Sequence, residues 1–450
     1  MQYNIQQIGA ILGVPVVKQR TDKITILLTD SRKLSLPAET LFFALETKNN
    51  DAHIFIHELY EKGVRNFVVS KVLQEWEAFT DANFLKVKSS LAALQKIAAY
   101  HRKQFSIPII GITGSNGKTI VKEWLYQILE KNYNIVRSPR SYNSQIGVPL
   151  SVWQLDEETE LGIFEAGISM PDEMGKLETV IRPTIGVLTK IGEAHQENFT
   201  SLQQKIMEKL DLFVNCDVFI FDEDNDLVSE CVDQMVLSQK IFTWSRKNRD
   251  AHLYISSIKR KGDKTIINYS LMDFNDSFTI PFTDEASIEN AISCLAVALY
   301  LHISPADISS RMALLEPVAM RLDVRRGKEN CIIINDTYNS DINSIKIALD
   351  FQQQRKVDRH LKKTLILSDI LQSGIPPRSL YKKVAEMVEQ SGVERIIGIG
   401  RDIAGHRDLF PMPEKSFYQT TDEFISSGEW KEFDRELILL KGARRYHFER

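Results

Sequence analysis

No apolar run in this 450-residue chain approaches the roughly 20 residues needed to span a bilayer, so no membrane-spanning helix is expected. No basic segment followed by an apolar core stands at the N-terminus, so no secretory leader is expected either. Cysteine is scarce. Cys216, Cys231, Cys294 and Cys331 lie far apart with no C-x-x-C pair. That spacing argues against a zinc site or a disulfide frame, and for reduced, buried thiols in a cytoplasmic protein. A formal charge of −4 gives no electrostatic case for nucleic acid or for an anionic membrane. Repeats and low-complexity segments are absent. What remains is an ordinary globular composition, 43% hydrophobic and 26% charged. At this length one core cannot serve the chain, and about two to four domains are expected.

The pattern along the chain divides it in three. Residues 1–103 carry short α/β signals: a buried strand at 40–45, a helix at 53–62, a strand at 64–69 and a helix through Leu91, Leu94, Ile97 and Ala98. The polar stretch His101-Arg102-Lys103-Gln104 reads as a linker. From 104 to 316 strands alternate with helices at 107–112, 120–130, 161–165, 184–190, 201–214 and 217–221. Hairpin-like segments follow at 252–258, 264–271 and 277–282, then a helix from Ser287 to about Leu301. Beyond a boundary near Glu316-Pro317 the alternation restarts and runs to 450. Strands alternating with helices imply parallel pairing. The expected fold class is therefore α/β in three domains: a small N-terminal α/β unit (1–103), a central doubly wound, mostly parallel sheet (104–316), and a Rossmann-like C-terminal unit (317–450).

The most specific local signal is Thr113-Gly114-Ser115-Asn116-Gly117-Lys118-Thr119, between an apolar β-favouring run and an amphipathic helical pattern. Strand, glycine-rich turn and helix together make a phosphate cradle. Gly114 and Gly117 let the backbone bend and approach an anion. Amides at the helix start then face phosphate oxygens, with those of Ser115 and Asn116 in the same loop. Lys118 would reach the β- and γ-phosphates and the Thr119 hydroxyl would ligate Mg²⁺. The common nucleotide loop has glycine where Ile112 stands, so this is a variant.

Other polar residues end strands of the same sheets, where ligands of open parallel sheets bind. Glu165 closes the run 161–164 and suits Mg²⁺ through oxygen; a solvated strand-end glutamate is the plainer alternative. His195 follows the strand 184–191, and Lys209 and Asp211 lie on the helix after it. Asp336 and Asn339 end a strand of the third unit, as does Lys441-Gly442-Ala443-Arg444.

Taken in order and spacing, these segments resemble the Mur ligase superfamily over essentially the whole chain. The carriers are Thr-Gly-x-Asn-Gly-Lys-Thr at 113–119 followed by Val121-Lys122-Glu123, Asn143-Ser144-Gln145-Ile146-Gly147-Val148-Pro149, Glu165-Ala166-Gly167, Ile191-Gly192-Glu193-Ala194-His195 and Asp336-Thr337-Tyr338-Asn339. Asp30-Ser31-Arg32, followed by 41–45, resembles the superfamily's UDP-sugar entry region. Leu367-Ser368-Asp369-Ile370-Leu371-Gln372-Ser373-Gly374 is similar to a segment of the branch that adds D-alanyl-D-alanine. The Asp-Asn-Pro-Arg motif of the diaminopimelate- or lysine-adding branch is absent. Departures exist too. Ala286 and Ser287 stand where members often carry His-Asn, before the retained Asn290-Ala291, and Ser368 and Gln372 replace the usual Gly and Glu.

The resemblance implies a cytoplasmic, ADP-forming amide ligase of peptidoglycan precursor synthesis. It would join D-Ala-D-Ala to UDP-MurNAc-tripeptide through an acyl phosphate. The alternatives are another ligase of the superfamily (the diaminopimelate- or lysine-adding type, or a folylpolyglutamate synthase) and a non-catalytic nucleotide- or muropeptide-binding module. The resemblance assigns catalysis to Lys118, Lys209, His195 and Glu165, and ATP binding to Gly114–Thr119 with Asn290, Arg321, Asp336 and Asn339. Two Mg²⁺ sites would use Thr119, Glu165 and His195, supported by a carbamylated lysine at Lys209, with Lys205 as the alternative register. Ser31, Arg32, Asn143 and Gln145 would meet the sugar-peptide substrate. The resemblance further implies a monomer as this module, and allows a fused alanine racemase beyond Arg450.

Overall fold

The computed structural model of the protein describes residues 3–18, 23–47, 50–192, 198–235, 240–272, 274–355, 360–371 and 373–448. His195 of the expected metal set and Gln372 lie outside the described residues.

The central sheet is built from short β-branched runs and has nine strands. Its spatial order is Ile135–Arg137, Leu161–Glu165, Ile109–Thr113, Ile185–Leu188, Val218–Asp222, Lys240–Ser245, Leu253–Lys261, Lys264–Leu271, Phe274–Ile280. Pairing is parallel as far as Leu253–Lys261 and antiparallel for the last two strands. The hairpins expected near 252–282 thus extend the same sheet. Alternate residues of each strand serve opposite faces. Ile110, Ile112, Leu161 and Ile163 pack with the helices Lys118–Leu129 and Glu285–Tyr300. Ile109 and Phe164 pack on the other face, with Met174–Ile181 and Leu202–Leu210. The sheet is covered on both sides, as parallel sheets require.

The C-terminal sheet runs Asp323–Arg326, Ile332–Asp336, Glu436–Lys441, Lys362–Ser368, Arg395–Ile399, Glu414–Tyr418. All its pairings are parallel except the first. The N-terminal sheet is smaller, four parallel strands in the order Ile26–Leu28, Thr40–Phe43, Asn66–Val69, Asn83–Lys86.

One local expectation changes. The polar stretch at 101–104 is not a solvated linker: His101 and Arg102 are buried at the end of the helix Ser90–Arg102. The Arg102 guanidinium donates to the carbonyls of Phe105, Ile181 and Arg182 at 2.6, 2.9 and 3.0 Å. His101 bonds the Leu155 carbonyl at 2.9 Å and the Tyr3 hydroxyl at 3.1 Å. The Ile181 carbonyl is buried, where an acceptor left without a donor is costly. These two side chains latch the N-terminal unit onto the central one, and burial pushes His101 down to about 4. A second latch lies at residue 316. Trp124 Nε1 donates to the Glu316 carbonyl at 2.9 Å, and Gln127 accepts the Glu316 amide at 2.9 Å.

Candidate functional site

The turn after the strand Ile109–Thr113 is open because two glycines hold conformations that side chains rarely adopt. Gly114 has φ 148° and Gly117 φ 89°. A Cβ at Gly114 would stand 2.1 Å from Thr189 Oγ1, and one at Gly117 2.3 Å from Asn290 Oδ1. The helix Lys118–Leu129 starts directly after the turn, so its first amides and its dipole point into the space above. Ser115 and Asn116 donate their amides to the Lys190 carbonyl, at 2.9 and 3.2 Å, which pins the loop to the neighbouring strand end. Lys118 folds back over the loop and donates to the carbonyls of Gly114 (2.7 Å) and Ser115 (3.0 Å). Burial lowers its amine to about 8, against the raising influence of Glu165.

Glu165 is fully buried at its strand end. Its Oε2 accepts from the Thr119 hydroxyl at 3.1 Å and from Asn143 Nδ2 at 3.4 Å. Its Oε1 has no hydrogen-bond partner, although the Lys122 ammonium lies 3.2 Å away. An oxygen-only pair, carboxylate and hydroxyl, with one carboxylate oxygen still free of hydrogen bonds, fits a hard cation such as Mg²⁺. Among the described residues no cluster of three or more His, Cys, Asp or Glu could hold a metal, so a metal here would need water, phosphate or residues outside them.

Lys209 is buried, with Nζ 3.3 Å from the Gly114 carbonyl. Burial, and then the cations of Lys118 and Lys205, hold its amine well below the usual lysine range. Lys205 is buried too but donates to the Gly192 carbonyl instead. Of the two registers, only Lys209 lines the cavity.

That cavity, about 330 Å³, lies between the strand ends of the central and C-terminal sheets. It brings together the residues 114–119, Asn143, Lys209, Asn290, Arg321, Asp336 and Asn339. Asp336 forms a buried ion pair with Lys441 at 2.6 Å, and Arg321 lies over the Tyr338 ring, 4.2 Å from its centroid. Glu165 lies buried behind Thr119 without lining the cavity, and three further expected residues stand apart from it. Gln145 accepts from Gln95 at 2.8 Å and donates to the Glu173 carbonyl at 3.1 Å. Ser31 and Arg32 sit in the N-terminal unit, with Arg32 exposed and bonded to Asp30 by both edges at 2.8 Å. Their neighbour Lys33 nevertheless reaches the Tyr142 hydroxyl at 2.9 Å, next to Asn143.

Sequence reasoning missed Asp284 as a cavity residue, and marked Lys441 only as a strand-end group and Tyr338 only as a motif position. Asp284 caps the helix Glu285–Tyr300 through Oδ1, and its buried Oδ2 has no partner. A helix-capping aspartate is common in sequence, and only its burial beside the cavity separates it from the others.

Comparison with known proteins agrees with this geometry. Residues 112–298 match the Mur ligase middle domain. The UDP-N-acetylmuramoyl-tripeptide–D-alanyl-D-alanine ligase of Bacillus subtilis is 26% identical over 92% of this chain and 90% of its own length. The crystal structure of MurF from Acinetobacter baumannii superposes with a TM-score of 0.83 at 22% identity, covering 100% of this chain and 97% of that one. MurF of Thermotoga maritima, solved in complex with ADP, gives 0.75 at 19% identity over 94% and 95% of the two chains. The segment matched to the Mur ligase middle domain holds the loop at 113–119 and Glu165, and the chain is similar to Mur ligases over nine-tenths or more of its length.

Proposed function

We infer that the protein is an ATP-dependent ligase that forms an amide between the terminal carboxylate of UDP-N-acetylmuramoyl-tripeptide and the amine of D-alanyl-D-alanine. The observation that carries this reading is the shared cavity. Lys118, Thr119 and Lys209 of the central unit face Asp336 and Asn339 of the C-terminal unit across one space. The ligases that resemble the chain over nine-tenths of its length support the choice of substrates.

The reaction must bring two anions together. A carboxylate oxygen attacks the γ-phosphorus, and the bond to the departing ADP breaks. The amine then attacks the acyl carbon, loses a proton, and inorganic phosphate leaves. Lys118 supplies the cation nearest the phosphate loop, and the amides at 117–119 supply donors fixed before the reaction begins. Thr119 and Glu165, with His195, would hold Mg²⁺, which when bound neutralises phosphate charge and orients the reacting oxygens. Asn143, bonded to Glu165, would position the incoming carboxylate beside that pair. Asp336, Asn339 and Arg321 would meet the nucleotide from the third domain and shut water out from the acyl phosphate.

Lys209 would act as a carbamate. A neutral amine attacks CO₂, the N–C bond forms and a proton leaves, so a buried cation becomes an anion. Its lowered amine makes the neutral form available. Intact-mass measurement under bicarbonate should show one added carboxyl that the Lys209→Ala variant lacks, and a free amine in fully active enzyme would refute the carbamate. The reaction itself is tested by phosphate release with ATP, Mg²⁺ and UDP-MurNAc-tripeptide. Turnover is expected with D-Ala-D-Ala and not with single amino acids; turnover with diaminopimelate or lysine in its place would overturn the reading.

A further inference from the structure

Lys122 takes no part in the chemistry above, yet it is among the most buried side chains of the protein. It lies one turn after Lys118 on the same helix face. Its ammonium stands 3.2 Å from Glu165 Oε1 and 2.9 Å from Glu123 Oε1. It also donates to the carbonyls of Ser138, at 2.7 Å, and of Arg140. Arg140 holds φ 52°, a conformation that costs a residue with a side chain, so this loop needs an anchor. The same loop carries Ser141, which meets Thr119, and Asn143, which meets Glu165. Glu123 in turn accepts from Arg137 at 3.0 Å, and the Arg137 guanidinium covers the Tyr126 ring. Charges therefore alternate along a ladder, Glu165, Lys122, Glu123, Arg137, from behind Thr119 to the surface.

A fully buried carboxylate needs a partner, since an isolated one carries a large desolvation cost. Lys122 is that partner in the absence of metal. It makes an ion pair but no hydrogen bond with Glu165 Oε1, so a cation that displaced this contact would break no hydrogen bond there. Yet it places a positive charge beside the position a divalent cation would take. Resting on the reading of Glu165 as a metal ligand, we propose that Lys122 is a positioning residue. It holds Glu165 and the 138–145 loop in place before metal arrives, and it weakens metal binding until a nucleotide adds its own negative charge. The cation then enters with the triphosphate rather than ahead of it.

The test uses the full chain as K122M, K122R and the double variant K122M/E165Q. Thermal unfolding is followed in EDTA, and Mn²⁺ binding without nucleotide is followed by the loss of its free-ion paramagnetic resonance signal. K122M should unfold roughly 10 °C lower, because one charge is left buried alone. K122M/E165Q, which removes both charges, should regain more than half of that loss. K122M should bind Mn²⁺ roughly tenfold tighter than the unmodified protein, the scale of one unit charge a few ångströms from a dication in a well-screened site. K122R should bind it as the unmodified protein does. A double variant no more stable than K122M, or equal Mn²⁺ affinity in K122M and the unmodified protein, would overturn the proposal. Binding by neither would overturn the metal reading of Glu165 as well. Should K122M not fold, recovery of folded double variant upholds the charge pairing, and failure of both overturns it.

Discussion

The molecule makes the same turn twice and uses it in opposite ways. In the central sheet the strand Ile109–Thr113 ends at Gly114, φ 148°, and a helix follows. In the C-terminal sheet the strand Arg395–Ile399 ends at Gly400, φ 143°, and a helix follows there too. Each glycine lies against one residue of the strand alongside, one position past the last pair in register: Thr189 beside Gly114 and Asp369 beside Gly400. Thr189 is neutral, and its hydroxyl serves the loop's own carbonyls, with Asn116 at 2.7 Å. Asp369 is a carboxylate that accepts the amides of Ile403 (2.8 Å) and Asp402 (3.3 Å) and the hydroxyls of Tyr446 (2.8 Å) and Tyr381 (3.2 Å). The second turn thus carries its own anion, and the first has room for one from outside. What a strand-glycine-helix turn binds is decided by the neighbouring strand's next residue, not by the glycine.

The largest expected effect comes from making the first turn like the second. Thr189→Asp would set a carboxylate beside Gly114, where the triphosphate should sit. One like-charge contact near 4 Å at an effective dielectric of about 20 corresponds to a loss of roughly 10³-fold in affinity. Calorimetric titration with ADP should show that loss, while Thr189→Ser binds almost normally. Normal ADP binding by Thr189→Asp would mean that the nucleotide lies elsewhere.

Removing the cation of the first turn should cost somewhat less. Lys118→Met is expected to lower turnover at least ~10²-fold, on the scale of a lost oxyanion donor. The wild-type group also predicts a pH profile. Its amine is held to about 8, so kcat/KM for ATP should fall as pH rises through that value and the free enzyme loses the charge. The stability sign is the reverse. With 10.5 as the unfolded reference, the unfolded chain binds the extra proton between about 8 and 10.5, and stability rises with pH across that window. In Lys118→Met both slopes should vanish from rate and unfolding measurements.

Much of this first turn was legible from residue order alone. Thr113 to Thr119 reads as a phosphate loop from glycine and lysine at fixed spacing, and the left-handed glycines and the helix start stand where that reading puts them. Glu165, Asp336 and Asn339 were legible as strand-end polar groups. The two parallel sheets followed from strand and helix alternation. What could not be read is pairing across elements. Nothing in the sequence tells that Lys122 meets Glu165 or that Arg102 is buried against the carbonyls at 181 and 182. Charged residues on helices are usually solvated, and only the packed structure shows which are not. Asp369 was legible only as part of a segment similar to the D-alanyl-D-alanine-adding branch, and its contacts, those of an internal anion, were not.

Opening the second turn should therefore cost stability rather than nucleotide affinity. Asp369→Ala orphans two tyrosine hydroxyls and two helix amides, a loss of about 3 kcal/mol when buried groups lose a charged partner. Chemical denaturation should show this loss with ADP affinity within twofold of normal by titration, a bound of about 0.4 kcal/mol. A large change in ADP affinity with stability intact would mean that this turn, too, serves the ligand.

The smallest effect concerns how closely the two turn-bearing sheets approach. Gly192, just past the Ile185–Leu188 strand, lies against the C-terminal unit: a Cβ there would meet Asn343 Nδ2 at 2.2 Å. Asn343 belongs to the helix Ile342–Gln354, which follows the Asp336–Asn339 segment. The obstructing atom ends a flexible amide, so Gly192→Ala should push that side chain off its preferred rotamer without separating the units. Such a shift costs about 0.5–1.5 kcal/mol, or roughly two- to tenfold in kcat/KM if closure is needed for turnover. Asn343→Ala alone should be nearly neutral, and in combination it should restore Gly192→Ala, because the obstructing atom is gone. Non-additivity of this kind is expected only of residues in contact. Additive rate losses in the double variant would show that the two units do not meet at Gly192 during turnover. The closed cavity would then be a resting arrangement, and the internal carboxylate at Gly400 and the open loop at Gly114 would work on units that meet some other way.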